Sequence, residues 1–340
     1  MNSKIKDKVK LGIICYPRME LEKIKSACVE NDVDFIEIDI MSPDWMSECK
    51  EDIDGYLIRP PCTYQEHKSI FDERVFFLNE VLGKPIYPSF KELYTYENKR
   101  NMHLFLSGHD IPHAKTKVYM RRIDALANLN DQVYPIVSKS NIGASGSAVQ
   151  IIKNKRQHVR LINKVFGRFS PEFAFGWFPL GKKYGIPLPR VGRAQKHYLL
   201  TQEFLNIKWE WRMIRIGDSY IGHQKLLGDN GFASGSELVG WERPSDKLLW
   251  LLHNATEKMG MRCMTLDIFE TVDGEFYVNE MQAIIGAYRP YQMKVDGKPG
   301  RFVLRDGEFH FEEGIHCQNA CWNPRVEDFI KMLNGEKYNA

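Results

Sequence analysis

The hydrophobic positions along this chain change period several times, and each change predicts an element. Val9 to Cys15 is a nearly unbroken apolar run, the pattern of a buried strand. In Glu20 to Asn31, Leu21, Ile24, Ala27 and Cys28 recur at helical spacing. Asp34 to Ile40 alternates as a second strand, and Gly55 to Ile58 makes a third that runs into Arg59-Pro60-Pro61. Strand, helix, strand, strand predicts a small α/β domain with a parallel sheet. A helix over Ile70 to Leu82 follows, stopped by Gly83-Lys84-Pro85, so the first domain is expected to span residues 1–90. A central unit is expected over 91–200. Residues 201–340 read as antiparallel strands with a helix from Asp246 to Met259, whose Leu248, Leu249, Leu251, Leu252, Ala255 and Met259 form a broad apolar face. Phe166 to Arg193, rich in Gly, Pro and aromatics, reads as a long connection.

Two stretches within this pattern carry candidate chemistry. Thr265 to Gln282 reads as strand, Asp273-Gly274 hairpin turn and strand. Alternation puts Phe276, Val278, Glu280 and Gln282 on one face, with Asp267 across the hairpin. Two carboxylates and an amide oxygen suit a hard cation such as magnesium, which also takes nucleotide phosphates. The same pattern fits a plain amphipathic hairpin with a solvated polar end. Val133 to Ile152 reads as strand, small-residue loop, strand, with Lys139 ahead of Gly143, Ser145, Gly146 and Ser147. Glycines let successive N–H groups turn inward around an anion, and a lysine beside them adds a point charge for phosphate. A simple hairpin loop has the same composition.

In this order the two stretches resemble the ATP-grasp superfamily. The resemblance runs from about Glu97 to about Tyr288. Glu97-Asn98-Lys99-Arg100, opening a helix before SGHDIPHAKTKVY, looks like the segment of the first ATP lysine, and Lys139 like the second. Thr201-Gln202-Glu203-Phe204-Leu205 resembles the hinge strand whose backbone reads adenine, and Glu210-Trp211-Arg212 the acidic-x-Arg step after it. Lys225 stands where an arginine touching phosphate is usual, and Gln282 where Asn is usual beside Asp267 and Glu280. The resemblance implies an ATP-grasp fold behind an N-terminal Rossmann-like domain, with ATP and magnesium (or manganese) as cofactors. It implies a homodimer as a common state.

Composition adds a frame. The chain has 340 residues, 47 basic and 44 acidic, and formal charge +3, with no basic stripe that would suggest nucleic acid. No run approaches the roughly 20 apolar residues of a membrane span. Lys4, Lys6, Lys8 and Lys10 imitate a secretory n-region, but the apolar run after them is too short for a signal peptide. Seven scattered cysteines suit reduced thiols in a cytoplasm. His316, Cys317 and Cys321 lack a fourth ligand for zinc.

The activity that the resemblance implies is a carboxylate–amine ligase, forming ADP through an acyl phosphate. Small-molecule carboxylate and amine are its expected partners. Lys99, Lys139, Arg212 and Lys225 would supply positive charge, and the loop Asn141 to Ser147 would close over the triphosphate. Arg59, ending a parallel strand where open α/β sheets bind ligands, is a candidate carboxylate clamp or a surface ion pair. Arg289, seven residues past Gln282, is a candidate for a substrate carboxylate or acyl phosphate. Phe232 to Leu238 is a second small-residue loop. His103, His109 and His113 read as surface residues. A kinase of the same fold and a non-catalytic ATP-binding protein are the alternatives.

Overall fold

The computed structural model describes residues 8–49, 52–62, 65–142, 149–167, 197–228, 233, 238–287 and 289–335. Strands β1 (Lys10–Cys15), β2 (Asp34–Glu37), β3 (Gly55–Arg59) and β4 (Ile86–Tyr87) form a parallel sheet in the order β2-β1-β3-β4. Strands covered on both faces must be apolar at successive positions. Accordingly Leu11, Ile13 and Leu57 join a core with Leu21, Ile24, Ala27 and Cys28 of the helix Leu21–Glu30. Ile14, Tyr56 and Ile58 meet Phe71 and Val75 of the helix Gln65–Phe76 on the other face.

That second helix starts five positions before the expected Ile70 and continues through a π turn, Phe77–Val81. Its buried side carries an ion pair, Lys68 with Asp72 at 2.5 Å, and Lys68 also donates to the Leu93 carbonyl. Charged residues on the covered face hide the helical period from a reading of apolar positions alone. The second strand ends at Glu37, short of Ile40, although the Ile38 amide still donates to Ile13.

A second, antiparallel sheet contains β5 (Thr116–Tyr119), β6 (Ile136–Lys139), β7 (Val149–Ile152) and β8 (Leu199–Glu203) in the order β5-β8-β6-β7. β8 lies between β5 and β6, so Gln202 is paired on both edges, with Thr116 and with Val137. The expected hinge strand therefore stops at Glu203. Phe204 and Leu205 fall in the link to the next strand, and Phe204 is exposed.

The third sheet is built from β9 (Ile207–Ile216), β10 (Ser219–Lys225), β11 (Val239–Gly240), β12 (Cys263–Thr271), β13 (Phe276–Gln282), β14 (Lys294–Val295), β15 (Lys298–Arg305) and β16 (Glu308–Glu313). Its path is β13-β12-β9-β10-β15-β14, with β11 on β10 and β16 on β15. The helix Asp246–Met259 is capped by Ser245, whose side chain accepts from the Leu248 amide, and ends at Gly260 with φ 62°. Leu248, Leu249, Leu252, Ala255 and Met259 bury its apolar face.

β12 is tied to the first domain by one carboxylate. Glu92, in the helix Phe90–Thr95, closes a capping box with Ser89 and also accepts the Arg262 and Cys263 amides at 2.5 and 2.6 Å. Those two residues lead into the strand that carries Asp267. Among the described residues, no helix is long and apolar enough to cross a membrane.

Candidate functional site

Strand register brings the charged residues of the third sheet into one row. Asp267 on β12 lies opposite Arg212 on β9 and Glu280 on β13, while Arg212 lies opposite His223 on β10. Glu210 faces Lys225 on the same sheet face. Arg212 donates to both Asp267 oxygens, Nε to Oδ1 at 2.9 Å and the second nitrogen to Oδ2 at 2.8 Å. This is the bidentate fork that only arginine provides. Lys225 donates to Asp267 Oδ2 at 2.9 Å and to Glu210 Oε1.

The two lysines from earlier in the chain arrive at this row from different directions. Lys99, first residue of the helix Lys99–Gly108, lies 3.7 Å from Glu97 and 3.8 Å from Glu280. Lys139, last residue of β6, donates to Asn279 Oδ1 at 2.7 Å, and Asn279 Nδ2 donates to Glu210 Oε2 at 2.9 Å. The structure thus brings together Lys99, Lys139, Glu210, Arg212, Lys225, Asp267 and Glu280. Gln282 joins them by donating to Glu280 Oε2 at 3.2 Å.

Asn279 was missed by pattern reading because of a backbone irregularity. The register between β12 and β13 shifts at Asp267/Ile268: Asp267 opposes Glu280, Ile268 opposes Val278, and Asn279 is the extra residue. A bulge of this kind turns adjacent side chains to one side of a strand. The expectation that Val278 shares a face with Glu280 and Gln282 is therefore corrected. Val278 and Met281 are buried in the core, whereas Asn279 and Glu280 both face the charged row. The sequence signal was there in Asn279-Glu280, a polar doublet that breaks the alternation.

Asn141, expected only as the first residue of the phosphate loop, has contacts that pattern reading missed. Its amide donates to the Tyr198 hydroxyl at 2.8 Å and its carbonyl accepts from Lys99 N at 3.1 Å. Its side chain accepts from Arg100 N at 2.9 Å and donates to Gln65 at 2.6 Å. It closes the first turn of the Lys99 helix from outside and links it to the first domain. The expected phosphate loop, Asn141 to Ser147, begins here, but Gly143, Ser145, Gly146 and Ser147 lie outside the described residues. So does most of the loop Phe232 to Leu238 and of the connection Phe166 to Arg193.

Burial and neighbouring charge set the protonation of the row. Burial opposes the Asp267 carboxylate, but Arg212 and Lys225 together hold its pKa well below the usual range. Lys99 is disfavoured by burial too, and Glu280 and Glu97 more than offset this, leaving its pKa raised. For Lys139 burial wins, and with Lys99 adding repulsion the pKa falls to about 8 despite Glu280. Four cations (Lys99, Lys139, Arg212, Lys225) and four carboxylates (Glu97, Glu210, Asp267, Glu280) make up the cluster.

The donor set fits a hard cation. Asp267 and Glu280 face each other with the Gln282 amide beside them, and Thr265 Oγ1, opposite Gln282, is buried with no hydrogen-bond partner among the described residues. Asp267 Oδ2 accepts from both Arg212 and Lys225, but Oδ1 accepts one bond and keeps a second lone pair. However, the carboxylates do not require a metal to coexist, since Arg212, Lys225 and Lys99 already compensate them.

Other expected site residues sit apart. Arg59 is buried at the C-terminal end of β3, donates to the Pro60 carbonyl at 2.8 Å and lies 3.9 Å from Glu20, with no hydrogen bond at its Nε among the described residues. It is not an ordinary surface ion pair. Arg289 is exposed and rests over the Trp241 ring at 5.5 Å. Gln202 bonds Thr116, and Glu203 accepts the Lys115 amide. His103 and His113 share the Ser107 hydroxyl, each at 3.1 Å.

The fold has counterparts among solved structures. A D-alanine–D-alanine ligase from Bacillus anthracis matches 97% of this chain and 100% of its own, at TM-score 0.60 and 13% identity. A carboxyaminoimidazole ribonucleotide synthase from Aspergillus clavatus, complexed with ATP, matches 95% of this chain and 77% of its own, at TM-score 0.60 and 11% identity. The ATP-grasp ligase PsnB, complexed with a precursor peptide and AMPPNP, matches 96% and 99%, at TM-score 0.57 and 13% identity. No family model matches the sequence, and no curated protein matches it. The chain has the ATP-grasp fold, with an N-terminal α/β domain ahead of it.

Proposed function

We propose that the protein is an ATP-dependent carboxylate–amine ligase that forms ADP through an acyl phosphate. The observation that carries this reading is the meeting of Lys139 from the second sheet with the Arg212–Asp267–Lys225–Glu210 row of the third, through Asn279. Phosphoryl transfer asks a protein for positioning and for neutralisation of spread negative charge. Lys99 and Lys139 would receive the phosphates nearer the adenine, and Arg212 and Lys225 the transferring phosphoryl group. Arriving phosphates replace carboxylates as partners of these cations, so the row exchanges one set of ion pairs for another. Asp267, Glu280 and Gln282 would hold magnesium, which shields the phosphate charge when bound. The Gln202–Leu205 segment would line the adenine edge, and the loop carrying Gly143, Ser145, Gly146 and Ser147 would exclude water that hydrolyses an acyl phosphate. Arg59 is the candidate for holding the carboxylate that becomes phosphorylated, and Arg289 is a candidate for holding a substrate carboxylate. Ligases among proteins of similar fold support the choice of reaction.

The test is ADP formation from magnesium ATP in pools of carboxylic acids, with and without pooled amines, using Lys139→Ala as control. ADP that requires both pools supports the ligase. ADP with a single pool points to a kinase, and metal-dependent ATP binding with no ADP from any pool points to a non-catalytic protein.

A further inference from the structure

Beyond the charged row, on the side of β10 away from β12, two cations are left without carboxylates. The Arg289 guanidinium lies 5.5 Å from the Trp241 ring, and the Lys294 ammonium lies 5.5 Å from Trp241 and 4.9 Å from Tyr291. The Trp241 and Tyr291 rings are themselves 5.5 Å apart. Neither cation has an acidic partner among the described residues, whereas Lys99, Arg212 and Lys225 each have one. An aromatic face fixes a cation without neutralising it, so this pair remains able to take an anion.

His223 joins that patch to the row. It lies opposite Arg212 in the β9–β10 register, is 6% exposed, and its ring is 5.8 Å from Trp241. The Gln292 carbonyl, 2.8 Å from Nδ1, makes that nitrogen the donor. Nε2 is then the lone-pair nitrogen, and it has no hydrogen-bond partner among the described residues. Burial, with Arg212 adding to it, pulls the pKa to about 4, so the ring is neutral at physiological pH.

We infer that His223, Trp241, Tyr291, Arg289 and Lys294 form the subsite of the attacking substrate, and that this substrate is an amine bearing an anionic group, as an amino acid does. The inference rests on the ligase reading. Arg289 and Lys294 bind the anionic group and His223 Nε2 accepts a hydrogen bond from the amine. In the step itself the nitrogen bonds to the acyl carbon. The C–O bond to phosphate breaks with its electron pair going to the departing phosphate, which also takes the proton that nitrogen loses, while Nε2 orients the amine.

The experiment compares amino acids with their amides and with the amines lacking the carboxylate, as acceptors for the full-length wild type and for Lys294→Met, Arg289→Ala and His223→Gln. The wild type is expected to favour the anionic acceptors at least roughly tenfold in kcat/KM, since a charged contact is worth about that factor. Lys294→Met and Arg289→Ala are expected to raise KM for the amino acids roughly tenfold and to erase the preference over the amides. His223→Gln is expected to raise KM about tenfold for every acceptor, since the amine loses a fixed hydrogen-bond acceptor, with kcat little changed. Thermal melts check that each variant is folded, and Lys294→Met, a partly exposed side chain, keeps the test available if His223→Gln unfolds. Amine-dependent ADP with no preference for anionic amines, or with variants that alter neither ratio, overturns this inference and leaves the ligase standing. ADP formation that never depends on an amine overturns both.

Discussion

Lys139 and Asn279 are 140 residues apart in the chain and 2.7 Å apart in the fold. Their contact is where the second sheet touches the third at the candidate site, and Asn279 extends it to Glu210. An amide there satisfies an ammonium and a carboxylate at once, which neither an acid nor an aliphatic side chain does. Asn279→Leu is expected to cost about 1–3 kcal/mol of stability, as partners are left unpaired, and to lower ATP turnover at least roughly tenfold. Urea unfolding and an ADP assay check the two parts; full turnover in a folded variant would remove Asn279 from the site.

The lowered pKa of Lys139, about 8, has a definite sign in pH. Phosphate needs the ammonium, so ATP affinity is expected to be flat below about pH 7 and to weaken as pH rises past the folded pKa, by up to about tenfold per unit. Lys139→Arg, charged throughout, is expected to bind with a flat profile. The same depression makes the apoprotein's stability from this residue rise with pH between the folded value and about 10.4, where the unfolded chain still holds the proton. Calorimetric titration with ATP from pH 6 to 10 settles it; a flat wild-type profile contradicts the prediction.

Asp267 works in the opposite direction. Its pKa is held low by Arg212 and Lys225, so its stabilising contribution is complete above the unfolded value, about 3.9, and is lost as pH falls below it. Asp267→Asn leaves two buried cations short of a partner and is expected to destabilise by about 3–5 kcal/mol. Denaturant midpoints at neutral pH and near pH 3 are the measurement: the gap between wild type and variant should narrow in acid.

Asn141→Ala tests the joint between the Lys99 helix and the N-terminal domain. Its backbone still accepts from Lys99, but the bonds to Arg100 and Gln65 go. The expected result is an ATP KM raised about tenfold with kcat nearly kept, since positioning and not charge is lost. Gln65→Ala should produce a smaller change in the same direction; an unchanged KM in both variants would mean that the joint is structural only.

Much of this was legible in the chain. The helix from Leu21 and the helix from Asp246 follow from apolar spacing, Ser245 and Gly260. The order Lys139, Glu210, Arg212, Asp267, Glu280 pointed to a fold that the three sheets bear out. What stayed hidden depends on contacts distant in sequence or on broken periods. Asn279 needs the bulge, which no alternation rule contains. Asn141 matters through Gln65, Arg100 and Tyr198, none of them near it in the chain. The helix from Gln65 was shortened because Lys68 and Asp72 are buried as a pair. His223 draws no notice in the sequence; only the register sets it opposite Arg212.

The balance of charges at the row has a kinetic consequence. Four cations cancelled by four carboxylates project little field beyond their own contacts, and the chain as a whole carries only +3. The row by itself therefore draws in a polyanion from a distance less than a bare basic pocket would. If ATP binds there as proposed, its capture is expected to proceed by collision followed by exchange of partners, with a rate that changes little between low and physiological ionic strength.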